Sequence, residues 1–136
     1  MTVADTSGLL ALFNRTEPEH EAVRSIVAEL DEPMIVSPYV VAEVDYLVGH
    51  RVGVDAELAV LSELAGGGYE LACLDAAELE RASEVVARHR DQAIGIADAS
   101  IVLLADRYRT RRVLTLDRRH FDVLRPLSGG RFSLLP

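Results

Sequence analysis

Residues 94–117 read Ile94-Gly95-Ile96-Ala97-Asp98-Ala99-Ser100-Ile101-Val102-Leu103-Leu104-Ala105-Asp106-Arg107-Tyr108-Arg109-Thr110-Arg111-Arg112-Val113-Leu114-Thr115-Leu116-Asp117. The first half predicts a helix over about 97–108, and the second a strand over 112–116 that ends on an acid. Asp98 has Ile101, Val102 and Ala105 at its i+3, i+4 and i+7 positions, which places it on the apolar face. An ionised carboxylate there is costly unless a cation or metal compensates it. The competing reading of Asp98 is an ordinary first-turn acid that stabilises the helix N-terminus.

The same pattern, a short apolar strand closed by an acid and followed by a helix, opens the chain. Val3-Ala4 runs into Asp5, then Thr6-Ser7 and a helix predicted over 7–14. A capping signal at Thr16 and Glu19 predicts a helix to about residue 30. A strand over 34–36 leads to Ser37 as N-cap with Pro38 at the first helical position, opening a helix to about residue 51. Further helices are predicted over 55–64 and, behind the Asp75/Glu78 cap, over 76–89. A strand is predicted over 69–74, after the Gly66-Gly67-Gly68 stop, and a last helical turn and strand near 131–134 close the chain. Strands alternating with helices of this length argue for an α/β sandwich around a mostly parallel central sheet flanked by helices. In such sheets ligands bind at the carboxyl ends of the strands, where Asp5 and Asp117 both fall.

The chain has 136 residues, 49% of them hydrophobic and 26% charged, which predicts one domain over 1–136 with a substantial core. No stretch has the pattern of a signal peptide or the roughly 20 apolar residues of a membrane span. The single cysteine, Cys73, cannot form an internal disulfide and fits a cytoplasmic protein; beside Leu71 and Leu74 it is expected to be a small core residue. All 14 basic residues are arginine. The absence of lysine excludes P-loop, Schiff-base and receiver-type phosphorelay chemistry. Net charge is −8, unevenly spread: residues 1–75 carry 14 acidic and 3 basic side chains, and residues 76–136 carry 8 and 11. Six arginines fall between 107 and 119, either a phosphate-binding patch or a solvated helix end.

Glu43, within Val40-Val41-Ala42-Glu43-Val44, is a fourth acid in apolar company, but Asp45 borders the same stripe at a similar angle and periodicity does not choose between them. Asp117 also reads as a turn residue after a strand, and Asp91 and Asp122 are stand-ins in loops. His20, His50, His89 and His120 show no zinc-ligand spacing with one another or with Cys73. A haloacid-dehalogenase-type phosphatase would need an aspartate where Ser7 stands.

In order, Asp5-Thr6-Ser7, Ser37-Pro38-Tyr39-Val40-Val41-Ala42-Glu43, Gly95-Ile96-Ala97-Asp98-Ala99 and Leu114-Thr115-Leu116-Asp117 resemble the motifs of a PIN domain, and more narrowly of the VapC-type toxins of bacterial toxin–antitoxin pairs. The resemblance runs from Asp5 to about Arg131. It implies a PIN-like three-layer sandwich and a Mg²⁺- or Mn²⁺-dependent endoribonuclease with Asp5, Glu43, Asp98 and Asp117 lining the metal site. It selects Glu43 over Asp45. It also implies a structured RNA substrate (tRNA or rRNA), a cognate VapB-type antitoxin, a homodimer and a toxin–antitoxin hetero-oligomer. On this reading Ser7 binds a ligand water or phosphate, and Arg118 and Arg119 contact RNA phosphates. Four crowded acids should raise at least one pKa. A non-catalytic PIN-like module that binds RNA or protein is the alternative; a phosphatase or DNA nuclease on the same fold is a third.

Overall fold

A computed structural model describes residues 1–136. The elements run β1 (Thr2–Ala4), α1 (Thr6–Phe13), α2 (His20–Ala28), β2 (Met34–Val36), α3 (Pro38–Arg51), α4 (Val54–Ala65), β3 (Tyr69–Leu71), α5 (Ala76–Arg88), α6 (Ile96–Arg107), β4 (Arg112–Leu114), α7 (Arg118–Val123) and β5 (Ser133–Leu135). The five strands form one sheet in the order β3-β2-β1-β4-β5, with every neighbouring pair parallel. The α/β sandwich expected from the sequence is thus present, and the sheet is wholly rather than mostly parallel.

This order explains where a site can form. From the central β1 the chain adds β2 and β3 on one side, then crosses back to add β4 and β5 on the other. Connections from β1 and β4 therefore diverge, leaving a crevice beyond their carboxyl ends, the topological switch point of an open parallel sheet. Val3 pairs with Val113 and Ala4 with Leu114, so Asp5 and Thr115 leave the sheet side by side.

The inner strands are short apolar runs because helices cover the sheet. β1 and β2 are fully buried, whereas the edge strands β3 and β5 are partly open. Twenty-nine buried hydrophobic residues make one contiguous core. At its centre is α6, in which every residue from Ala97 to Ala105 except Asp98 is buried. The apolar face read from the sequence around Asp98 is therefore a helix buried nearly all round, packed against α3, α5 and β1. Gly8 is the closest approach of α1 to the sheet: a Cβ there would lie 2.5 Å from the Leu114 carbonyl oxygen.

Two helix starts follow the sequence reading closely. Ser37 Oγ accepts the Val40 N–H at 3.2 Å, with Pro38 in the first turn. Asp75 and Glu78 form a reciprocal capping box, at 2.8 Å and 3.1 Å. The start of α2 does not. Thr16 turns back to donate its hydroxyl to Asn14 Oδ1 at 2.7 Å, so the helix begins at His20 behind Glu19, without a side-chain cap. Asn14, just past α1, has captured the hydroxyl the capping box needed. Strands β3 and β4 end earlier than predicted, at Leu71 rather than 74 and at Leu114 rather than 116, whereas β2 runs as predicted and β1 is one residue longer. Cys73 corrects another expectation: it is exposed. The chain has left edge strand β3 by then, and the Cys73 carbonyl accepts from Arg107 Nη2 at 2.6 Å.

Candidate active site

A groove of about 520 Å³ lies beyond the carboxyl ends of β1 and β4, and Asp5, Ser7, Glu43, Asp98 and Asp117 line it together with Thr6, Arg51 and His120. Four sequence-distant acids therefore meet at one place. Their environments are graded. Asp5 is buried, the Asp98 side chain is 16% exposed, that of Asp117 35%, and Glu43 sits at the exposed rim.

Asp5 is the most constrained of the four. It is the residue before α1, and its backbone N–H donates to the Leu114 carbonyl at 2.9 Å, which ties it to β4. Its Oδ2 accepts the Thr115 hydroxyl at 2.7 Å and the Ser7 hydroxyl at 3.0 Å. Thr115 Oγ1 in turn accepts the Asp117 backbone N–H at 2.9 Å, and Ser7 Oγ that of Leu116 at 2.9 Å. These bonds carry the β4–α7 turn directly on the Asp5 carboxylate. Burial pushes the Asp5 carboxyl up from the ordinary aspartate range, the Thr115 and Ser7 hydroxyls pull it back, and the nearby Asp117 charge adds to the rise.

Asp98 sits in the first turn of α6. Its pKa rises to about 6, chiefly because burial disfavours the charged form, then because of the Asp5 charge; His120 opposes the rise, while Asp117 and Glu43 add to it. The raised carboxyl expected of four crowded acids is thus found at Asp98. Helix α6 is locked to α3 by Ser100, whose hydroxyl donates to Ser37 Oγ at 2.8 Å and lies 2.6 Å from the Ala97 carbonyl. The helices carrying Asp98 and Glu43 therefore share a buried polar joint.

Glu43 accepts the Thr6 hydroxyl at 2.6 Å, whereas Asp45 faces Glu57 on α4. The tertiary contacts thus choose between the two acids that the helical wheel left equal. Asp117 caps α7, its Oδ1 accepting the His120 backbone N–H at 3.1 Å.

Three participants were not legible beforehand. His120 has no zinc-ligand spacing in the sequence, yet its Nδ1 lies 3.1 Å from Asp98 Oδ2 and 3.0 Å from Asp117 Oδ2, so the four acids do have a histidine among them. Its position three residues after Asp117 on one helical turn was the available signal. Thr115 falls inside the strand predicted over 112–116 and carries no other signal. Arg51, the last residue of α3, is the arginine that lines the groove. Arg118 and Arg119 are exposed on α7 outside the groove lining, and Arg118 Nη2 donates to the Pro136 carbonyl at 3.0 Å.

The PIN domain family matches residues 2–125. Over 134 residues the chain is 61% identical to Ribonuclease VapC26 of Mycobacterium tuberculosis, covering 98% of this chain and 99% of that protein. Among solved structures, VapC20 of Mycobacterium tuberculosis, described as a sarcin-ricin loop cleaving toxin, superposes with a TM-score of 0.85 at 20% identity over 100% of both chains. VapBC2 of Rickettsia felis, bound to a DNA fragment from its promoter, superposes with a TM-score of 0.71 at 16% identity, covering 99% of this chain and 98% of that one. At such identities the superpositions show a shared fold. The family match and the 61% identity, taken with acids gathered at the switch point of a parallel sheet, show that the chain belongs to the PIN-domain family, in its VapC-type ribonuclease branch.

Proposed function

We propose that this protein is the toxin of a type II toxin–antitoxin pair, an endoribonuclease that hydrolyses phosphodiester bonds of structured RNA with the help of a bound Mg²⁺ or Mn²⁺. The observation that carries this reading is the convergence of Asp5, Asp98, Asp117 and Glu43 on one groove, with the Asp98 carboxyl raised partly by the charges of the other three. Negative potential left uncompensated in this way favours a cation. Carboxylate oxygens without thiolate are the donors hard divalent ions prefer. No three acids or imidazoles form a closed ligand set here. Mg²⁺ needs only one or two carboxylates and fills its remaining positions with water and substrate phosphate.

Asp5 and Asp98, the most buried pair, serve as the principal ligands, and Glu43 and Asp117 complete the set or orient the attacking water. The chemistry such an ion supplies when bound is polarisation of a phosphate oxygen and acidification of the attacking water. The rest of the work belongs to the chain. Thr115 and Ser7 hold Asp5 in one orientation, so Ser7 acts on the carboxylate more directly than on a substrate phosphate. Thr6 fixes Glu43 at the rim. Arg51 supplies the cation inside the groove, and Arg118 and Arg119 extend a positive surface for the RNA backbone away from it.

The relatives support an RNA substrate as well: VapC26 is named a ribonuclease and VapC20 a sarcin-ricin loop cleaving toxin, and VapBC2 of Rickettsia felis shares the fold. We assign this chain a VapB-type antitoxin, toxin homodimers within a toxin–antitoxin hetero-oligomer, and a cytoplasmic location; no helix is long and apolar enough to cross a membrane. The test is cleavage of total RNA, tRNA, rRNA and DNA in Mg²⁺, Mn²⁺ or EDTA, with Asp5→Asn and Asp98→Asn as controls. RNA cleavage that EDTA and both substitutions abolish is expected; RNA binding without cleavage would establish the non-catalytic module instead.

A further inference from the structure

Both oxygens of Asp117 are turned toward one residue. Oδ1 accepts the His120 backbone N–H at 3.1 Å, and Oδ2 lies 3.0 Å from His120 Nδ1. The same Nδ1 lies 3.1 Å from Asp98 Oδ2. The imidazole therefore stands between the acid of α6 and the acid that caps α7. It is held in place because a six-residue helix fixes its backbone and Phe121, next in sequence, is buried in the core. An Nδ1–H is present in the imidazolium and in the neutral tautomer protonated at Nδ1, so in either form the ring can face both carboxylates with a donor.

We propose that His120 is a positioning residue of the ion site: it orients the Asp98 carboxylate through Nδ1, and Asp117 acts mainly by anchoring His120 rather than as a direct ligand. This inference rests on the divalent-ion site proposed above. The four acids then divide into unequal pairs. Asp5 is oriented by Thr115 and Ser7, hydroxyls from β4 and α1. Asp98 has no hydroxyl partner, and His120 takes the equivalent place. Each principal carboxylate thus has one oxygen steered by the protein, in the manner of groups that orient metal ligands from behind. Nδ1 lies nearly as close to one carboxylate as to the other, so a change at Asp117 frees the ring that faces Asp98.

The experiment is Mn²⁺ binding by calorimetry, which needs no turnover, alongside RNA cleavage and thermal melting, on the parent chain and on His120→Ala, His120→Asn, Asp117→Asn, the His120→Ala/Asp117→Asn double variant and Asp98→Asn. Asp98→Asn should abolish binding. His120→Ala and Asp117→Asn should each weaken it roughly 10-fold or more, the size typical of groups that orient ligands. The double variant should be no weaker than His120→Ala alone, since the two act as a unit. His120→Asn, whose amide offers a donor near the Nδ1 position, should recover most of the affinity. Should His120→Ala fail to melt cooperatively, the comparison of His120→Asn with Asp117→Asn carries the same information. Losses that add in the double variant, or Asp117→Asn abolishing binding while the His120 variants bind like the parent, would overturn the inference and leave the ribonuclease reading intact. A parent chain that neither binds Mn²⁺ nor cleaves RNA would overturn both.

Discussion

Thr115 donates its hydroxyl to Asp5 at 2.7 Å across the junction of β1 and β4, while the same oxygen accepts the Asp117 backbone N–H at 2.9 Å. One buried threonine thus supports the most buried acid of the site and sets the turn that carries another. Its neighbour Ser7 reinforces the same carboxylate from α1.

Replacing Thr115 by valine keeps the shape and removes the hydroxyl. Asp5 loses a donor to its charged form, so its already raised carboxyl should rise further. The Asp117 N–H also loses its acceptor. We expect RNA cleavage to fall about 10- to 100-fold, and stability by about 1–3 kcal/mol. Urea unfolding and cleavage rates check this, and Thr115→Ser should stay close to the parent in both.

Without added metal, the contribution of Asp98 to stability should fall as pH rises through the acid range. Asp98 titrates near 3.8 when unfolded and at about 6 when folded, so between those values the folded chain binds more protons. The stabilising contribution is complete below about pH 4 and lost by about pH 6 to 7, in total on the order of 3 kcal/mol. Asp5, also raised, acts in the same direction. Glu78 acts in the opposite one, because Arg107 lowers its pKa. The difference between parent and Asp98→Asn isolates the Asp98 part. Urea unfolding in EDTA at several pH values should show a smaller decline for Asp98→Asn, and equal declines would contradict the raised Asp98 carboxyl.

Gly8→Ala tests the seat of α1. The new Cβ would stand 2.5 Å from the Leu114 carbonyl oxygen and 2.8 Å from the Leu114 Cγ, and neither belongs to a flexible side-chain end. Helix α1 must move off β4. We expect about 1–3 kcal/mol of destabilisation despite alanine's better helix propensity. Cleavage should weaken as well, since Thr6 and Ser7 move with the helix; thermal melting and a cleavage assay measure the two effects.

The arginines should separate by position. Arg51→Ala, inside the groove, should lower the cleavage rate at saturating RNA as well as affinity. Arg118→Ala with Arg119→Ala, outside it, should weaken RNA binding and reduce the slope of log affinity against log salt by roughly 0.7–0.9 per lost contact, the range between single strands and duplex. Fluorescence anisotropy at several salt concentrations reads the slope. An unchanged slope would remove Arg118 and Arg119 from the RNA surface.

By itself the sequence determined the alternation of strands and helices, the caps at Ser37 and Asp75, and the placement of Asp5, Asp98 and Asp117 at element ends. These are properties of a few adjacent residues: hydrophobic period, capping geometry and turn chemistry act within one or two turns. The ordered motifs also brought Glu43 forward, although the helical wheel held it level with Asp45. Only the tertiary structure placed Glu43 against α1, where it accepts the hydroxyl of Thr6, 37 residues away, while Val40, Val44 and Val48 bury the core side of α3. The local reading failed at Thr16, where a neighbouring asparagine competed for the hydroxyl, and at Cys73, where an apolar stretch left an edge strand for solvent. It also passed over His120, whose place between Asp98 and Asp117 depends on α7 folding against the end of α6. Strand order made the difference. Bringing β4 back beside β1 opens the crevice, and no local property of residues 1–5 or 112–117 states that they will be neighbours.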